Sequence, residues 1–255
     1  MNSIFDLHVH TMMGSPDSAL TPEELVEEAK RLGITGVMVA EHNGWPKHDF
    51  DRFAASQEDI VLVRALEVYT PMGHIITLGL ENHVTGPSGG IETIRFLRQT
   101  VEKLGGYMIL AHPFRFLFDP AGIHTQNMLF EDPATVPKTA EEGAIHPIFD
   151  LVDELEVVNG GNIEIENRFA QEVVRALGRW GTGGSDCHST QGMGKGVTVF
   201  KGHIRNASDL LEALHEGDFT PVEGFHVGRA VSYGRSPDLD PGFVELASGN
   251  LPYGH

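Results

Sequence analysis

The chain has 255 residues, with 36 Asp and Glu against 18 Lys and Arg, giving a formal charge of −18 with histidine neutral. That balance disfavours attachment to nucleic acid through a basic face, because Lys and Arg neutralising phosphate supply most of such affinity. Apolar residues make up 40% of the chain, enough for a core, and no run approaches the ~18 uninterrupted apolar residues of a membrane span.

The N-terminus lacks a basic stretch followed by an apolar one, so no secretory signal is expected and a cytoplasmic location follows. Short apolar runs alternate with longer amphipathic segments, the pattern of βα units around a mainly parallel sheet. The first run is Ile4–Val9. A helix follows, with Thr21 as cap, Pro22 at the first position, Glu24 completing a capping box and Gly33 as the stop. Gly36–Ala40 is the second strand. Ile60–Tyr69 and His74–Leu80 are separated only by Thr70-Pro71-Met72-Gly73, too short for a parallel crossover, so they form an antiparallel hairpin. Apolar residues at 91, 94, 97, 101 and 104 predict a helix over Ile91–Leu104, ended by Gly105-Gly106. Strands are expected at Tyr107–Ala111, Leu155–Val158 and Gly181–Gly184, the last weak in β-propensity, and helices at Ile163–Trp180 and Asp209–Glu216. Pro113–Phe149 carries five prolines and little periodicity, which predicts a functional lid. The segment 217–255 predicts a strand near Gly228–Tyr233 and an extended tail. With no repeat or linker before residue 217, the chain reads as a single domain over 1–255, its core motifs at 6–188 and a C-terminal strand and tail at 218–255.

Cys187 is the only cysteine, which excludes an intramolecular disulfide and a Cys-rich zinc site; it reads as a core residue rather than a nucleophile. Any metal must therefore use imidazole and carboxylate. Four strand-like runs finish in such groups, at His8-Val9-His10, Glu41-His42, Ala111-His112 and Ser185-Asp186-Cys187-His188. Glu67 lies near the end of the third run, and His74 starts its return strand. In a β/α barrel the C-terminal strand ends converge on one rim, and residues i and i+2 point the same way. Each group alone is ordinary: a His pair is commonly surface or packing, and Glu67 suits an ion pair. Their joint occurrence at successive strand ends points to a metal cluster. Asp6 is expected to accept the second ring N–H of a ligating histidine. Arg115, three residues after His112, is the cation best placed by sequence to reach an anion at this rim, with Lys195 second. Gly192–Gly196 lacks the spacing of a phosphate-cradling Walker loop. His124 and His146 fall within the expected lid.

The motifs Asp6-Leu-His-Val-His-Thr11, Ser15-Pro-Asp17-Ser, Leu20-Thr-Pro-Glu-Glu-Leu25, Glu41-His42-Asn43, Glu67, His74, Ala111-His112-Pro113 and Gly184-Ser-Asp-Cys-His188 together resemble the PHP (polymerase and histidinol phosphatase) family. The resemblance implies an α/β fold, a distorted (β/α)7 TIM-like barrel, with two to three divalent ions (Mn, Zn or Fe) on its rim. By matching motif, His8, His10, Glu67 and Asp186 would hold the first metal, and Glu67 would bridge to a second held by His74 and His112. Asp17, His42 and His188 would hold a third. Position 41 is Glu where family members commonly carry Asp.

The implied activity is that of a metal-dependent phosphoric ester hydrolase. It would act on a small phosphomonoester or nucleotide phosphate through metal-activated hydroxide, with Glu67, Asp186 and Arg115 as catalytic residues. The family's substrates suggest histidinol phosphate, nucleotide mono- or bisphosphates and short oligonucleotide ends. Two bridged dications lower the pKa of a shared water from about 15.7 towards about 7 and clamp the attacking and leaving oxygens. Three would add about six local positive charges, attracting phosphate despite the acidic chain. Its partner is then a small phosphorylated substrate, with no long nucleic acid and no membrane expected. Two alternatives stand beside this reading. One is a non-catalytic metal-binding PHP module stabilising a partner; the other is a metal-dependent C–N hydrolase on a related barrel.

Overall fold

The computed structural model describes residues 2–118 and 127–225. In chain order its elements are β1 (Ser3–Val9), α1 (Pro22–Leu32), β2 (Gly36–Glu41), α2 (Lys47–Ala55), β3 (Val61–Thr70), β4 (Gly73–Leu78), α3 (Gly90–Lys103), β5 (Tyr107–Leu110), α4 (Ala140–Ala144), β6 (Glu154–Asn159), α5 (Glu164–Ala176), β7 (Thr182–Gly184), β8 (Gly196–Phe200), α6 (Ala207–Glu216) and β9 (Phe219–Glu223). The strands are hydrogen-bonded in the order β7-β6-β5-β4-β3-β2-β1-β8-β9. A bridge from Val9 to Cys187, just past β7, brings the β7 edge back against β1. The sheet is therefore a nearly closed barrel, as expected, but of mixed direction. β1, β2 and β3 run parallel, as do β5, β6 and β7. β4 is antiparallel to both β3 and β5, β8 returns antiparallel beside β1, and β9 pairs antiparallel with β8.

Local chemistry explains the elements that position the rim. Thr21 Oγ1 accepts from the Glu24 N–H and the Glu24 carboxylate accepts from the Thr21 N–H, the reciprocal cap that starts α1. Gly33, at φ 78°, ends it in a conformation that only glycine adopts cheaply. The β3–β4 hairpin turns through Pro71 and Met72, pairing Thr70 with Gly73 and Tyr69 with His74. β7 is glycine-rich for a packing reason: a Cβ on Gly183 would lie 2.4 Å from the Val197 carbonyl oxygen, and one on Gly184 2.4 Å from His8 Cβ. Close approach of β7 to β1 and β8 excludes side chains there.

Phe5, Leu7, Met38, Ala40, Val63, Ala65, Ile76 and Ile109 share one buried cluster with Leu210 and Leu214 of α6. Two further clusters bury the apolar faces of α1, and of α3 with α5. The segment expected as a lid is anchored at Phe114, Leu117, Phe130, Ile148 and Phe149, which are buried in the α3–α5 cluster, while 131–135 is exposed, and 119–126 with His124 lies outside the described residues. α2, β8 and β9 were not expected. The predicted strand near Gly228–Tyr233 also lies outside the described residues. Among those residues no helix is long and apolar enough to cross a membrane.

Candidate metal centre

The register aligns the strand ends so that the predicted groups meet. His10 and His42 follow the ends of the neighbouring strands β1 and β2, Glu67 lies near the end of β3, and antiparallel β4 starts at the same rim with His74. The Ala111 N–H donates to the His74 carbonyl, fixing His112 beside it. All nine side chains lie in one group. His8 and His10, wholly buried, bring their Nε2 atoms to 3.0 Å. Glu67 Oε1 lies 3.0 Å from His74 Nδ1, 3.1 Å from His112 Nε2 and 3.4 Å from His8 Nε2, while its Oε2 lies 3.1 Å from His42 Nδ1. Asp186 Oδ1 is 3.2 Å from His10 Nε2 and 3.4 Å from His8 Nε2. Asp17 Oδ2 sits 3.4 Å from His42 Nε2 and 3.3 Å from His188 Nε2. Four sets have ligand atoms mutually within 4.8 Å: His8, His10 and Glu67; His8, His112 and Asp186; Glu67, His74 and His112; and His10, His42 and His188.

Hydrogen bonds beneath the rim decide which ring nitrogen faces the centre. Glu156 lies 3.0 Å from His8 Nδ1 and accepts its proton in a hydrogen bond, which turns Nε2 towards the centre. Ser15 Oγ donates to Glu41 at 2.6 Å and therefore accepts from His10 Nδ1 at 3.0 Å. The two Nε2 atoms then face one another and two carboxylates, an arrangement that a shared cation would satisfy. The donor set of imidazole and carboxylate suits divalent zinc, manganese or iron.

The electrostatics agree. Burial opposes charge on Glu67, but His8, His112, His42 and His74 outweigh it and hold the carboxyl well below its usual range. Burial likewise opposes charge on Asp186, and His8, His10, His112 and Arg115 overcome it. Burial drives His10 the other way, down to about 4, leaving it a neutral ligand at neutral pH. His112 and Asp186 adopt positive φ, 30° and 54°, strain that side chains other than glycine's rarely tolerate. It is held in place where the His112 N–H donates to Glu156 and the Asp186 N–H to the His8 carbonyl.

Arg115 is close to the centre but largely committed. Its Nη2 donates to Asp186 Oδ2 at 2.6 Å and to Asn159 Oδ1 at 2.7 Å, and its Nε donates to Asn162 Oδ1 at 2.9 Å. Nη1 has no hydrogen-bond partner among the described residues. Lys195 is exposed and forms no ion pair among them. His146 stands apart, packed on Phe130 and Phe149.

Asp6 does not orient a histidine. A register shift between Asp6 and Val9 breaks the alternation of β1, so Asp6 accepts instead from the backbone N–H groups of Ser185 (2.8 Å), His8 (3.3 Å) and Gly194 (3.2 Å). The orienting carboxylates are Glu156 and, through Ser15, Glu41. Glu156 sits inside an apolar strand run and was missed, although a charged residue amid Leu155, Val157 and Val158 was a readable signal. Asp6→Ala is expected to leave three buried N–H groups without their acceptor and to lower stability by about 3 kcal/mol or more. Urea denaturation measures this, and a loss below about 1 kcal/mol would contradict the role.

A family model for the PHP domain matches residues 6–118, and one for the PHP-associated region matches 164–219. A 74-residue stretch is 38% identical to the error-prone DNA polymerase of Mycobacterium tuberculosis, covering 29% of this chain and only 6% of that polymerase. Among solved structures, a candidate metal-dependent phosphoesterase from Bifidobacterium adolescentis aligns at TM-score 0.55 and 16% identity, over 84% of this chain and 96% of that one. Endonuclease Q, in complex with a 27-mer duplex bearing an abasic lesion, aligns at TM-score 0.56 and 12% identity, over 86% of this chain and 58% of its own. At these identities the two structures share the fold. The first matched region carries His8 through His112 and the second carries Asp186 and His188, so the chain contains a PHP domain and a PHP-associated region that together hold the ligand-type residues.

Proposed function

We propose that the chain is a metal-dependent phosphoesterase acting on a small phosphomonoester, with His8, His10, Glu67 and Asp186, then His74 and His112, then Asp17, His42 and His188 holding two to three divalent ions. The observation that carries this reading is the convergence of the His8 and His10 Nε2 atoms between Glu67 and Asp186. Divalent ions bound there would supply a polarised water and positive charge for the phosphoryl oxygens. The chain's own part is positional. Glu156 and Ser15 keep His8 and His10 in one tautomer, and Asn159 and Asn162 hold the Arg115 guanidinium in one plane. Arg115 thereby offers Nη1 to a phosphoryl oxygen. The outer set of Asp17, His42 and His188 is partly exposed, leaving an open mouth through which substrate enters.

The acidic surface supports a small ester over a long duplex, in contrast to the substrate of endonuclease Q. The test is a panel of phosphomonoesters, nucleotides, oligonucleotide ends and an abasic duplex, assayed with Mn²⁺-reconstituted protein of measured metal content. Turnover of monoesters with the duplex left intact is expected. Full metal occupancy with no hydrolysis of any member, together with chelation that melts the fold, would replace this reading with a non-catalytic module.

A further inference from the structure

Beside the metal centre lies a cavity of about 210 Å³ lined on its polar side by His74, His112 and Arg115. Its apolar lining is Met72, Leu110, Pro113, Met128, Leu129 and the half-exposed Phe116. The one amide side chain in the lining is spent on backbone. Asn127 Nδ2 donates to the carbonyls of Pro113 and Arg115, and its Oδ1 accepts from the N–H groups of Leu129 and Phe130. The wall away from the metal centre therefore offers no spare polar side chain among the described residues. Phe116 contributes to it from a strained backbone, φ 62°, fixed where its N–H donates to Glu166. A bulky residue held at positive φ by a buried carboxylate is a costly way to place a ring.

We infer that this cavity receives the organic group of the substrate, and that the preferred esters are phosphates of apolar, ring-bearing alcohols rather than of sugars or polyols. The inference rests on the phosphoesterase reading. A phosphomonoester has one organic substituent, so with its phosphoryl group among the ligands and Arg115, that substituent extends into the neighbouring space. An apolar cavity of roughly 150 Å³ already accommodates benzene, so this one holds a single ring with a short tail. A hydroxyl-rich group placed there would give up water against the apolar lining and meet few polar side chains beyond His74, His112 and Arg115.

The test compares alcohols of similar leaving ability and adds a binding readout. On Mn²⁺-loaded protein, kcat/KM for benzyl phosphate is expected to exceed that for 2-hydroxyethyl phosphate by about tenfold or more. By calorimetry, benzylphosphonate is expected to bind about tenfold more tightly than methylphosphonate. In Met128→Asn and Leu129→Asn, each checked for a wild-type melting profile, that advantage should shrink to about twofold. Leu129 packs against the core, so Met128, which does not, supplies the variant less prone to misfold. Equal affinity for the two phosphonates in the wild type, or an advantage untouched in a folded Met128→Asn, would overturn the assignment. Benzylphosphonate retaining its advantage while neither ester is hydrolysed would uphold the cavity and refute the phosphoesterase reading. Both esters hydrolysed with equal efficiency would do the reverse.

Discussion

His10→Ala is expected to lose at least one bound divalent ion per chain and about a thousandfold in kcat/KM. Losing only an outer hydrogen-bond partner of a ligand typically costs 10–100-fold, and removing a ligand itself should exceed that. His10 sits at the join of two ligand sets, with Nε2 3.2 Å from Asp186 and 3.4 Å from Glu67. Its ring centroid lies 4.3 Å from that of His42 and 4.5 Å from that of His188. Deleting the imidazole therefore opens a void that touches both the inner and the outer groups. Elemental analysis after reconstitution with Mn²⁺ gives the stoichiometry, and far-UV dichroism separates loss of metal from loss of fold. Wild-type turnover with undiminished metal in this variant would remove His10 from the centre and with it the His8–His10 pairing on which the proposed function rests.

What the sequence made legible follows from the length scale of each determinant. The capping box at Thr21 and Glu24, the stop at Gly33 and the short connection between β3 and β4 are local, and each was readable because its physics is complete within a few residues. The rim residues were readable for a different reason: strand ends in one β/α barrel share a rim, so ligand-type residues at successive ends meet whatever lies between them. The features that were missed are those set by distant contacts. Asp6 was assigned to a histidine because ideal alternation was assumed, and the register shift that redirects it arises where β1 pairs with β2. β7 looked weak because its glycines answer to Val197 and His8, residues far away in the chain. α2 buries only Phe50 and starts at Pro46 without a side-chain cap, so neither periodicity nor capping announced it. The 113–149 segment lacks periodicity because its buried side chains, Phe114, Phe130 and Phe149, fill gaps around α3 and α5 individually rather than along a face.

Arg115→Ala is expected to lower kcat/KM by one to two orders of magnitude, the ~1.5–3 kcal/mol of a hydrogen bond to a charged group. Two different roles would give that loss, and the geometry separates them. Nη2 braces Asp186 at 2.6 Å, whereas Nη1 bonds neither Asn159 nor Asn162 and is the donor that the proposed function assigns to substrate. If Arg115 only braced Asp186, its removal would weaken the metal centre, and excess Mn²⁺ would restore turnover. If Nη1 grips the phosphoryl group, metal content at saturating Mn²⁺ stays at the wild-type value while KM and the inhibition constant for inorganic phosphate both rise. The second pattern is expected. Arg115→Lys adds a further discriminator, because an ammonium keeps the charge but lacks the planar fork that two asparagines and a carboxylate hold in place. It should recover less than half of the lost free energy. Kinetics unchanged in Arg115→Ala would exclude the residue from the site, and full rescue by Mn²⁺ would confine it to supporting Asp186.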